Sequence, residues 1–325
     1  MYKILSSIPL PKECTDPFKD KLEFTLPDER LSYSELLDRI KPGYYGINIL
    51  GIKVDKDLID AASNAGICVI ANDMVGTDNV DIPYATQKGI AIINAPSMVT
   101  EPTAEHVCAL IMATMRNIAC YDREIRNSIW NAPVFSTRAE SIYGSTLGIV
   151  GLGRIGKRVA AKMQGMGMNI VYYDKFRLPE DKEKELNVTY KEFDELLEVS
   201  DCISLNLPYL PENHHLFNEE TFKKMKKTAY LVNGARGSIV DEYALYEALR
   251  DGVIKGAGLD VFEHEPRPLP ELLTLENVTM TPHCATGTFK DRVAIASEAI
   301  QGMADYLDGK EPHNLVNQIV KSKVE

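Results

Sequence analysis

The sequence predicts an α/β protein made of two doubly wound parallel sheets. Short apolar runs alternate with helical patterns along nearly the whole chain, as in repeated βα units. A glycine-rich turn stands near the middle, at residues 151–156, between a strand pattern and a helix pattern. The length of 325 residues exceeds the usual size of one domain and favours two.

Residues 1–98 have the alternation of a small parallel-sheet domain. The predicted strands cover 47–50, 68–71 and 90–93, and the predicted helices cover 33–40, 57–64 and 81–88. The turn at 74–79 follows a strand end, where backbone N–H groups can face a ligand across a cleft. An ordinary connector explains this turn equally well.

A long helix is predicted from about Glu101, with Thr100 as its cap, and we expect it to lead into the second domain. Between 119 and 143, large apolar side chains stand among charges: Ile125, Ile129, Trp130, Phe135 and Tyr143. Such an arm between two domains more often covers a partner subunit than forms a core of its own. The segment therefore predicts a contact between subunits.

The centre of the second domain is the stretch 146–174. Gly151, Gly153 and Gly156 follow a short apolar strand in G-x-G-x-x-G spacing, and a helix is predicted over 154–164. In such a unit the first glycine permits a tight turn and the second lets a pyrophosphate approach the backbone. The third lets the helix lie close to the strand, and the helix start directs its N–H groups and positive dipole end at the phosphates.

Asp174 ends the next predicted strand, 18 residues beyond Gly156. A carboxylate there accepts both ribose hydroxyls of NAD and repels the 2′-phosphate of NADP, so NAD is the predicted cofactor. Lys175 and Arg177 leave partial use of NADP open. The nucleotide site of a methyltransferase also combines a glycine-rich turn with an acid, and only later residues separate the two readings.

The βα pattern continues to the end of the chain. Predicted helices cover 193–197, 219–225 and 242–249, and predicted strands cover 202–207, 229–232, 256–261 and 277–281. The last helix, over 289–307, has one apolar face. We expect it to return to the first domain, which would make that domain discontinuous.

Composition limits the partners and the setting. The formal net charge of −11 argues against nucleic acid or an anionic membrane as the main partner, and no apolar stretch has transmembrane length. The first residues contain too short an apolar run for a signal peptide, and the six scattered cysteines are typical of reduced thiols in a cytoplasmic protein. The adjacent His214 and His215 are expected to point in different directions on a solvated loop, and no metal site is predicted.

Arg236, Glu265 and His283 each follow a predicted strand end. Singly, each has an ordinary explanation: Arg236 could pair with Asp241, Glu265 belongs to an exposed turn, and His283 could satisfy a turn. Together, at the sheet edge that also holds a dinucleotide, they suit hydride transfer to a carbonyl.

That reaction needs three groups. A guanidinium grips the carboxylate of the substrate and polarises its C=O group. An imidazolium protonates the developing alkoxide. A carboxylate orients the imidazole and favours its charged form. Arg236, His283 and Glu265 fill these roles in turn, whereas the competing His264 neighbours Glu265 and cannot easily be held by it.

Four motifs, in this order, resemble those of the D-isomer-specific 2-hydroxyacid dehydrogenases. They are Gly-Leu-Gly-Arg-Ile-Gly at 151–156, Asn-Gly-Ala-Arg-Gly at 233–237, Gly-Leu-Asp-Val-Phe-Glu-His-Glu-Pro at 258–266 and Thr-Pro-His at 281–283. Val-Gly-Thr-Asp-Asn-Val-Asp at 75–81 and Thr-Ala-Glu-His at 103–106 extend the likeness to nearly the whole chain. The resemblance implies reversible hydride transfer between NADH and a 2-oxo acid, giving an (R)-2-hydroxy acid.

The resemblance also implies an architecture and a site. A Rossmann NAD domain at 100–286 would be inserted into a discontinuous flavodoxin-like substrate domain at 1–99 and 287–325, in a homodimer built largely on the NAD domains and the arm at 119–143. Arg236, Glu265 and His283 would form the catalytic group, with the Val75 and Gly76 amides as a second carboxylate cradle. The implied cofactor contacts are Thr103, Gly151, Gly153, Arg154, Ile155, Gly156, Asp174, Pro208, Asn213, Ala235 and Asp260.

The sequence departs from the family at two places. Asn213 stands where the family often has Thr, which would loosen one cofactor contact. Leu50-Gly51-Ile52 stands where phosphoglycerate-type members carry an arginine-containing turn, which favours a small unphosphorylated 2-oxo acid, with Trp130 or Tyr143 near its side chain. Two alternatives stay open on the same scaffold: an NADH-responsive binding protein, and oxidation of formate or phosphite.

Overall fold

The computed structural model describes residues 1–130 and 138–318, and the chain divides into two compact units. Unit 1 combines Met1–Val99 with the chain from Thr286 onward, and unit 2 is Thr100–Ala285. Each unit has its own parallel sheet and its own core.

The sheet of unit 1 has five parallel strands in the order β2-β1-β3-β4-β5. This order is the flavodoxin-like one, as predicted. The strands are β1 (Tyr2–Ser6), β2 (Leu22–Thr25), β3 (Gly46–Ile49), β4 (Val69–Asn72) and β5 (Ala91–Ile93).

The sheet of unit 2 has seven parallel strands in the order β12-β11-β10-β9-β6-β7-β8. The order reverses beside β6, so the crevice outside the carboxyl ends of β6 and β9 is where a Rossmann sheet binds its dinucleotide. The strands are β6 (Thr146–Val150), β7 (Asn169–Tyr173), β8 (Thr189–Tyr190), β9 (Cys202–Leu205), β10 (Tyr230–Asn233), β11 (Gly256–Leu259) and β12 (Val278–Met280). The predicted fold class, two doubly wound parallel-sheet units, is confirmed.

Helices connect successive strands in both units. They are α1 (Lys12–Thr15), α2 (Tyr33–Arg39), α3 (Lys56–Asn64), α4 (Ile82–Gln87), α5 (Thr100–Met115), α6 (Ile118–Arg126), α7 (Arg154–Gly165), α8 (Glu180–Leu186), α9 (Phe193–Val199), α10 (Glu219–Lys224), α11 (Glu242–Arg250) and α12 (Phe289–Leu307). The apolar face of α12 packs on the unit 1 sheet through Ile295, Ile300 and Met303, so unit 1 is discontinuous in sequence. Among the residues described, no helix combines the length and the apolar character that a membrane span requires.

Both faces of the unit 2 sheet are covered, as parallel sheets require. One face packs against α9, α10 and α11, with Leu197, Phe222 and Leu245 fully buried. The other face packs against α5 and α7. The two helix layers hold the strand ends at fixed places, and these ends carry the candidate site.

Candidate active site

The glycine turn between β6 and α7 has the conformation that the motif predicts. Gly151 has φ +94°, where a side chain would be strained, and a Cβ there would lie 2.9 Å from the Asn206 carbonyl oxygen. A Cβ on Gly156 would lie 2.2 Å from the Gly151 carbonyl oxygen. A Cβ on Gly153 would meet no described atom within 4 Å. Packing therefore requires glycine at 151 and 156, whereas at 153 only the approach of a ligand requires it.

Asp174 lies directly beyond β7, at the rim of this turn. Its Oδ2 atom accepts the Leu152 N–H at 2.8 Å, and its Oδ1 atom accepts the Phe176 N–H at 3.0 Å. Each oxygen keeps capacity for a second donor, since an ionised carboxylate has about four acceptor positions. The carboxylate is thus held in place and can also accept ribose hydroxyls.

Two glycine substitutions separate ligand binding from folding. We expect Gly153→Ala to keep the thermal stability of the protein but to weaken NADH binding about tenfold or more, because the added methyl group takes the space of the pyrophosphate. Gly165→Ala is the matched control, since it lies at the other end of α7 and its Cβ also meets no described atom within 4 Å. Titration of NADH fluorescence measures both variants. Unchanged NADH affinity in Gly153→Ala would contradict the assignment.

The remaining implied cofactor contacts lie in unit 2. Arg154 and Ile155 begin α7, and Pro208, Ala235 and Asp260 lie just beyond β9, β10 and β11, at the same edge as the glycine turn. Asn213 lies in the loop after β9, where its side-chain amide donates to the Pro208 carbonyl at 3.0 Å. Thr103 is buried in α5, one turn before His106.

The structure pairs His283 with Glu265. The His283 Nδ1 atom lies 2.8 Å from Glu265 Oε2, and Glu265 Oε1 accepts the Phe262 N–H at 3.1 Å. Burial raises the pKa of Glu265, but the hydrogen bond and charge of His283, the Phe262 N–H and the charge of Arg236 together lower that pKa below its usual value. Because the carboxylate is ionised, Nδ1 carries the proton of this hydrogen bond, and Nε2 is the ring nitrogen left to serve a ligand. His264 is exposed on the turn and is not the partner of Glu265.

Asp260 holds the loop that carries His283. Its carboxylate accepts the Thr281 hydroxyl at 2.6 Å and the Cys284 and Ala285 N–H groups at 2.9 and 3.1 Å. His283 itself has φ +50°, a left-handed conformation that costs a residue with a side chain roughly 1 kcal/mol or more. Its N–H donates to the Asp260 carbonyl at 2.7 Å, so Asp260 stabilises this unfavourable backbone on both sides.

Asp260 is ionised although it is almost fully buried. Burial raises its pKa, but hydrogen bonds from His106, Thr281 and the Cys284 N–H together lower it. His106, the last residue of the Thr-Ala-Glu-His motif, helps to hold Asp260: its Nε2 atom lies 3.0 Å from the Thr281 hydroxyl and 3.3 Å from Asp260. The sequence signal for this role was the motif itself.

Arg236 stands just beyond β10 and is half-buried. The buried Asn233 fixes the backbone around it, since its side-chain amide donates to the Arg236 carbonyl at 2.8 Å and its Oδ1 atom accepts the Ala235 N–H at 3.0 Å. A Cβ on Gly237 would lie 1.9 Å from the Phe262 carbonyl carbon, so the Arg236 loop packs directly on the loop of Glu265. The charge of Arg236 is among the causes that lower the pKa of Glu265. Unit 2 thus brings Arg236, Glu265 and His283 to one edge.

The expectation that His214 and His215 point in different directions was wrong. Their rings stack with centroids 3.9 Å apart, because His215 has a left-handed backbone, φ +49°, which turns its side chain to the side of its neighbour. His215 Nε2 lies 2.7 Å from Glu263 Oε1, so these three residues form a cluster. Nearly parallel rings direct their lone pairs side by side rather than at one point, which does not suit a shared metal ion. The absence of a metal stays a prediction.

In unit 1, the turn after β4 is held through its carbonyl groups. The Val75 carbonyl accepts the Asn94 amide at 2.9 Å, and the Gly76 carbonyl accepts the Asn72 amide at 3.0 Å. Among the described residues, neither the Val75 nor the Gly76 N–H donates a hydrogen bond. Two backbone N–H groups of this kind suit a carboxylate, and their role stays a prediction.

An arginine from an earlier part of the chain contacts the turn at 50–52. The Arg30 guanidinium donates to the Leu50 carbonyl at 2.9 Å, and a Cβ on Gly51 would lie 2.7 Å from Arg30 Nη2. Sequence position did not reveal this, because Arg30 precedes the turn by 20 residues. The lack of an arginine within 50–52 is therefore a weaker argument against a phosphorylated substrate than the sequence suggested.

Asp73 is a buried titratable residue that the sequence analysis did not single out. Burial raises its pKa to about 7, against the hydrogen bond from Asn48 and the charge of Arg292. The unfolded chain therefore loses this proton at lower pH than the folded protein, so stability falls as pH rises from about 4 to 7.

We expect Asp73→Asn to remove this loss of stability. The free energy of unfolding should then rise by up to about 4 kcal/mol at pH 8 and change little at pH 4. Thermal unfolding of both proteins at the two pH values measures the difference. A Tm of the variant that exceeds that of the parent equally at both pH values would contradict the titration of Asp73.

Comparison with known proteins gives consistent matches. A family model described as the NAD-binding domain of D-isomer specific 2-hydroxyacid dehydrogenases matches residues 108–285. A glyoxylate reductase of Korarchaeum cryptofilum is 42% identical over 289 residues, which cover 88% of this chain and 86% of that protein. The crystal structure of a glyoxylate reductase from Paecilomyes thermophila has a TM-score of 0.85 at 28% identity, covering 97% of this chain and 98% of that chain.

The NAD-complexed D-isomer specific 2-hydroxyacid dehydrogenase of Lactobacillus delbrueckii ssp. bulgaricus is also similar. Its TM-score is 0.77 at 26% identity, and the match covers 98% of this chain and 100% of that chain.

Proposed function

The chain belongs to the D-isomer-specific 2-hydroxyacid dehydrogenase family, and from that premise we propose that it reduces glyoxylate or another small unphosphorylated 2-oxo acid. Membership makes it an NAD-dependent oxidoreductase that acts on the CH–OH group of a D-2-hydroxy acid. The names of several relatives support glyoxylate as the substrate. The observation that carries the proposal is the 2.8 Å contact between His283 and Glu265 beside the loop of Arg236.

We assign the chemical roles as follows. Arg236 binds the carboxylate of the substrate and polarises its carbonyl group. His283 gives the proton on Nε2 to the carbonyl oxygen, while Glu265 holds Nδ1–H and stabilises the imidazolium. The Val75 and Gly76 N–H groups bind the substrate carboxylate. NADH, when bound, supplies the hydride, and the glycine turn, Asp174 and the other implied cofactor contacts hold it.

The reaction is tested by the loss of NADH absorbance with a panel of short, branched, aromatic and phosphorylated 2-oxo acids. We expect turnover to be fastest with glyoxylate or another short acid. Fastest turnover of a phosphorylated acid would contradict the substrate assignment and implicate Arg30. No turnover with any acid, despite measurable NADH binding, would favour the NADH-responsive binding protein, and turnover of formate or phosphite would favour the third alternative.

Glu265→Gln should change the pH dependence of reduction. The side chain keeps its size and its hydrogen bond but loses the charge that stabilises the imidazolium. Since the imidazolium is the acid in reduction, we expect the alkaline limit of kcat/KM to move to lower pH by about one to two units. A pH–rate profile of both proteins measures the shift. An unchanged alkaline limit would remove Glu265 from its role.

We also propose a homodimer that covers the segment near α6. The exposed side chains of Ile118, Ile125, Ile129 and Trp130 support it, while Phe135 lies outside the described residues. Trp130 is the one tryptophan of the chain and is 82% exposed, so its burial in a dimer would shift its fluorescence to shorter wavelength. Dilution should reverse that shift. No concentration dependence in either emission or sedimentation would count against this dimer.

We also propose that Trp130 or Tyr143 lies near the side chain of the substrate.

The cytoplasmic setting is a further proposal. It is supported by the six cysteines, which all lie within the described residues and are all free thiols.

A further inference from the structure

We infer that Glu183 acts as a specificity-determining residue for NAD, because it holds Arg177 and withholds that cation from the 2′-phosphate of NADP. The inference rests on the placement of the adenosine ribose at Asp174, proposed above. Two residues would then select NAD over NADP. Asp174 repels the 2′-phosphate, and Glu183 holds Arg177, the residue best suited to bind that phosphate.

Arg177 has the residue type and the position of a phosphate ligand. It lies three residues after Asp174, in the loop that follows β7. In Rossmann domains that use NADP, an arginine near the position of this acid accommodates the 2′-phosphate. Arg177 would therefore be expected to permit NADP binding if its guanidinium were available.

The guanidinium of Arg177 is bound on two sides. Its Nε atom donates to Glu183 Oε1 at 2.9 Å, and its Nη2 atom donates to Glu183 Oε2 at 3.2 Å, which is the bidentate geometry of a strong ion pair. Its central carbon lies 4.9 Å from the centre of the Tyr190 ring, within the range of a cation–π contact. The charge of Arg177 and two of its five N–H donors are thus engaged, while its side chain is 53% exposed.

Glu183 is itself fixed. Its side chain, on α8, is 11% exposed, and Oε1 also accepts the Tyr172 hydroxyl at 2.8 Å. The Tyr172 hydroxyl in turn accepts the Leu178 N–H at 2.9 Å, and Tyr172 is fully buried in β7. If Arg177 turned to a phosphate, it would leave a mostly buried carboxylate without its counter-charge, which is strongly unfavourable.

The acid–base properties of the pair agree with this geometry. The hydrogen bond from Arg177 outweighs burial and lowers the pKa of Glu183, so the carboxylate stays ionised and keeps its hold.

Lys175, the other cation next to Asp174, is held differently. Its Nζ atom lies 3.4 Å from Glu212 Oε1, and both side chains are more than half exposed. An exposed pair of this kind contributes little and is screened by salt. Glu212 therefore does not keep Lys175 from a phosphate as Glu183 keeps Arg177, and Lys175 accounts for any residual binding of NADP.

The test measures the dissociation constants of NADP+ and NAD+ by calorimetry. The parent is Asp174→Ser, which removes the repulsion, and Glu183→Gln is added to it, which removes the charge of the clamp but keeps its size and its contact with Tyr172. We expect the added change to tighten NADP+ binding about tenfold and to leave NAD+ binding within about twofold. Glu185→Gln in the same parent is the matched control, since it removes one charge from the same helix where the partner is Lys182. We expect it to change neither constant.

A second substitution keeps the test informative if the Glu183 variant does not fold. Asp174→Ser with Arg177→Gln should bind NADP+ as the Asp174→Ser parent does, because Arg177 contributes nothing while Glu183 holds it. Adding Arg177→Gln to the Glu183→Gln variant should abolish its gain.

Two results would overturn the inference while leaving the cofactor site intact: no tightening with Glu183→Gln at normal NAD+ affinity, or weaker NADP+ binding when Arg177 is lost beside an intact Glu183. A third result has a wider meaning. If Asp174→Ser changes the affinity of neither cofactor, the ribose does not lie at Asp174, and the proposed site fails together with this inference.

Discussion

Replacing His283 with alanine is expected to lower kcat for the reduction of glyoxylate by about 10²- to 10⁴-fold, the range for loss of a positioned general acid. The proton that His283 supplies to the developing alkoxide would then have to come from water, at higher cost. The affinity for NADH should change little, since the proposed cofactor contacts, the glycine turn and Asp174, do not include His283. Steady-state NADH oxidation gives kcat, and NADH fluorescence titration gives the affinity.

His264→Ala is the control for this variant. His264 directly precedes Glu265 in sequence, but its side chain is exposed. We expect its loss to change kcat by less than about twofold, as for surface substitutions. The assignment would be wrong if the His264 variant lost activity and the His283 variant kept it.

The sequence predicted the alternating elements well where apolar periodicity is strong. The predicted helix at 289–307 has the bounds of α12, and β4 and β10 agree with the predicted strands 68–71 and 229–232 within one residue. The predicted strands 202–207 and 256–261 ran two residues too far, because Leu207 and Val261 are apolar residues that pack in loops after the ladder has ended at Leu205 and Leu259. Apolar character indicates burial, and strand pairing is a separate property.

Several of the missed elements have weak local patterns, although the missed β1, with the buried Ile4 and Leu5, is an exception. The helix α8 reads Glu-Asp-Lys-Glu-Lys-Glu-Leu and has no apolar stripe. It is fixed partly by Glu183, which meets Tyr172 and Arg177 from outside the helix. The strand β2 is a short edge strand, and β8 has only two residues. Such elements are set by tertiary contacts, which a periodicity argument does not include.

The candidate site could be predicted in outline, but the hydrogen bonds that build it could not. Parallel strands end at a common edge, so Arg236, Glu265 and His283 could be placed near each other without any coordinates. The hydrogen bonds that hold them could not, since they join distant parts of the chain. Asp260 binds the loop of His283, and the buried Glu242 accepts the Glu263 and Leu269 N–H groups at 2.6 and 3.0 Å, which holds the loop of Glu265. No spacing rule links these partners.

The second large effect is expected at Arg236. Arg236→Gln removes the charge that binds the substrate carboxylate and polarises the carbonyl, and we expect kcat/KM to fall about 10²- to 10³-fold. Arg236→Lys keeps the charge but replaces the planar fork by a single ammonium group, so it should recover only part of the loss. A carboxylate bound at two points also fixes the carbonyl relative to His283, so kcat as well as KM should suffer in both variants.

Arg267→Gln is the matched control for the loss of one positive charge in this region. Arg267 is exposed on the loop that also carries Glu265, and its N–H, which the substitution retains, donates to the His264 carbonyl at 2.7 Å. If the effect of Arg236 were only long-range attraction of an anionic substrate, Arg267→Gln would also lower kcat/KM, and raised salt would abolish the difference between parent and variants. If Arg236 instead binds the substrate at short range, the loss in Arg236→Gln persists at high salt while Arg267→Gln resembles the parent. We expect the second pattern, because Arg236 is half-buried and the Asn233 side chain fixes its backbone, so the guanidinium acts on a bound carboxylate in a region that salt screens only weakly.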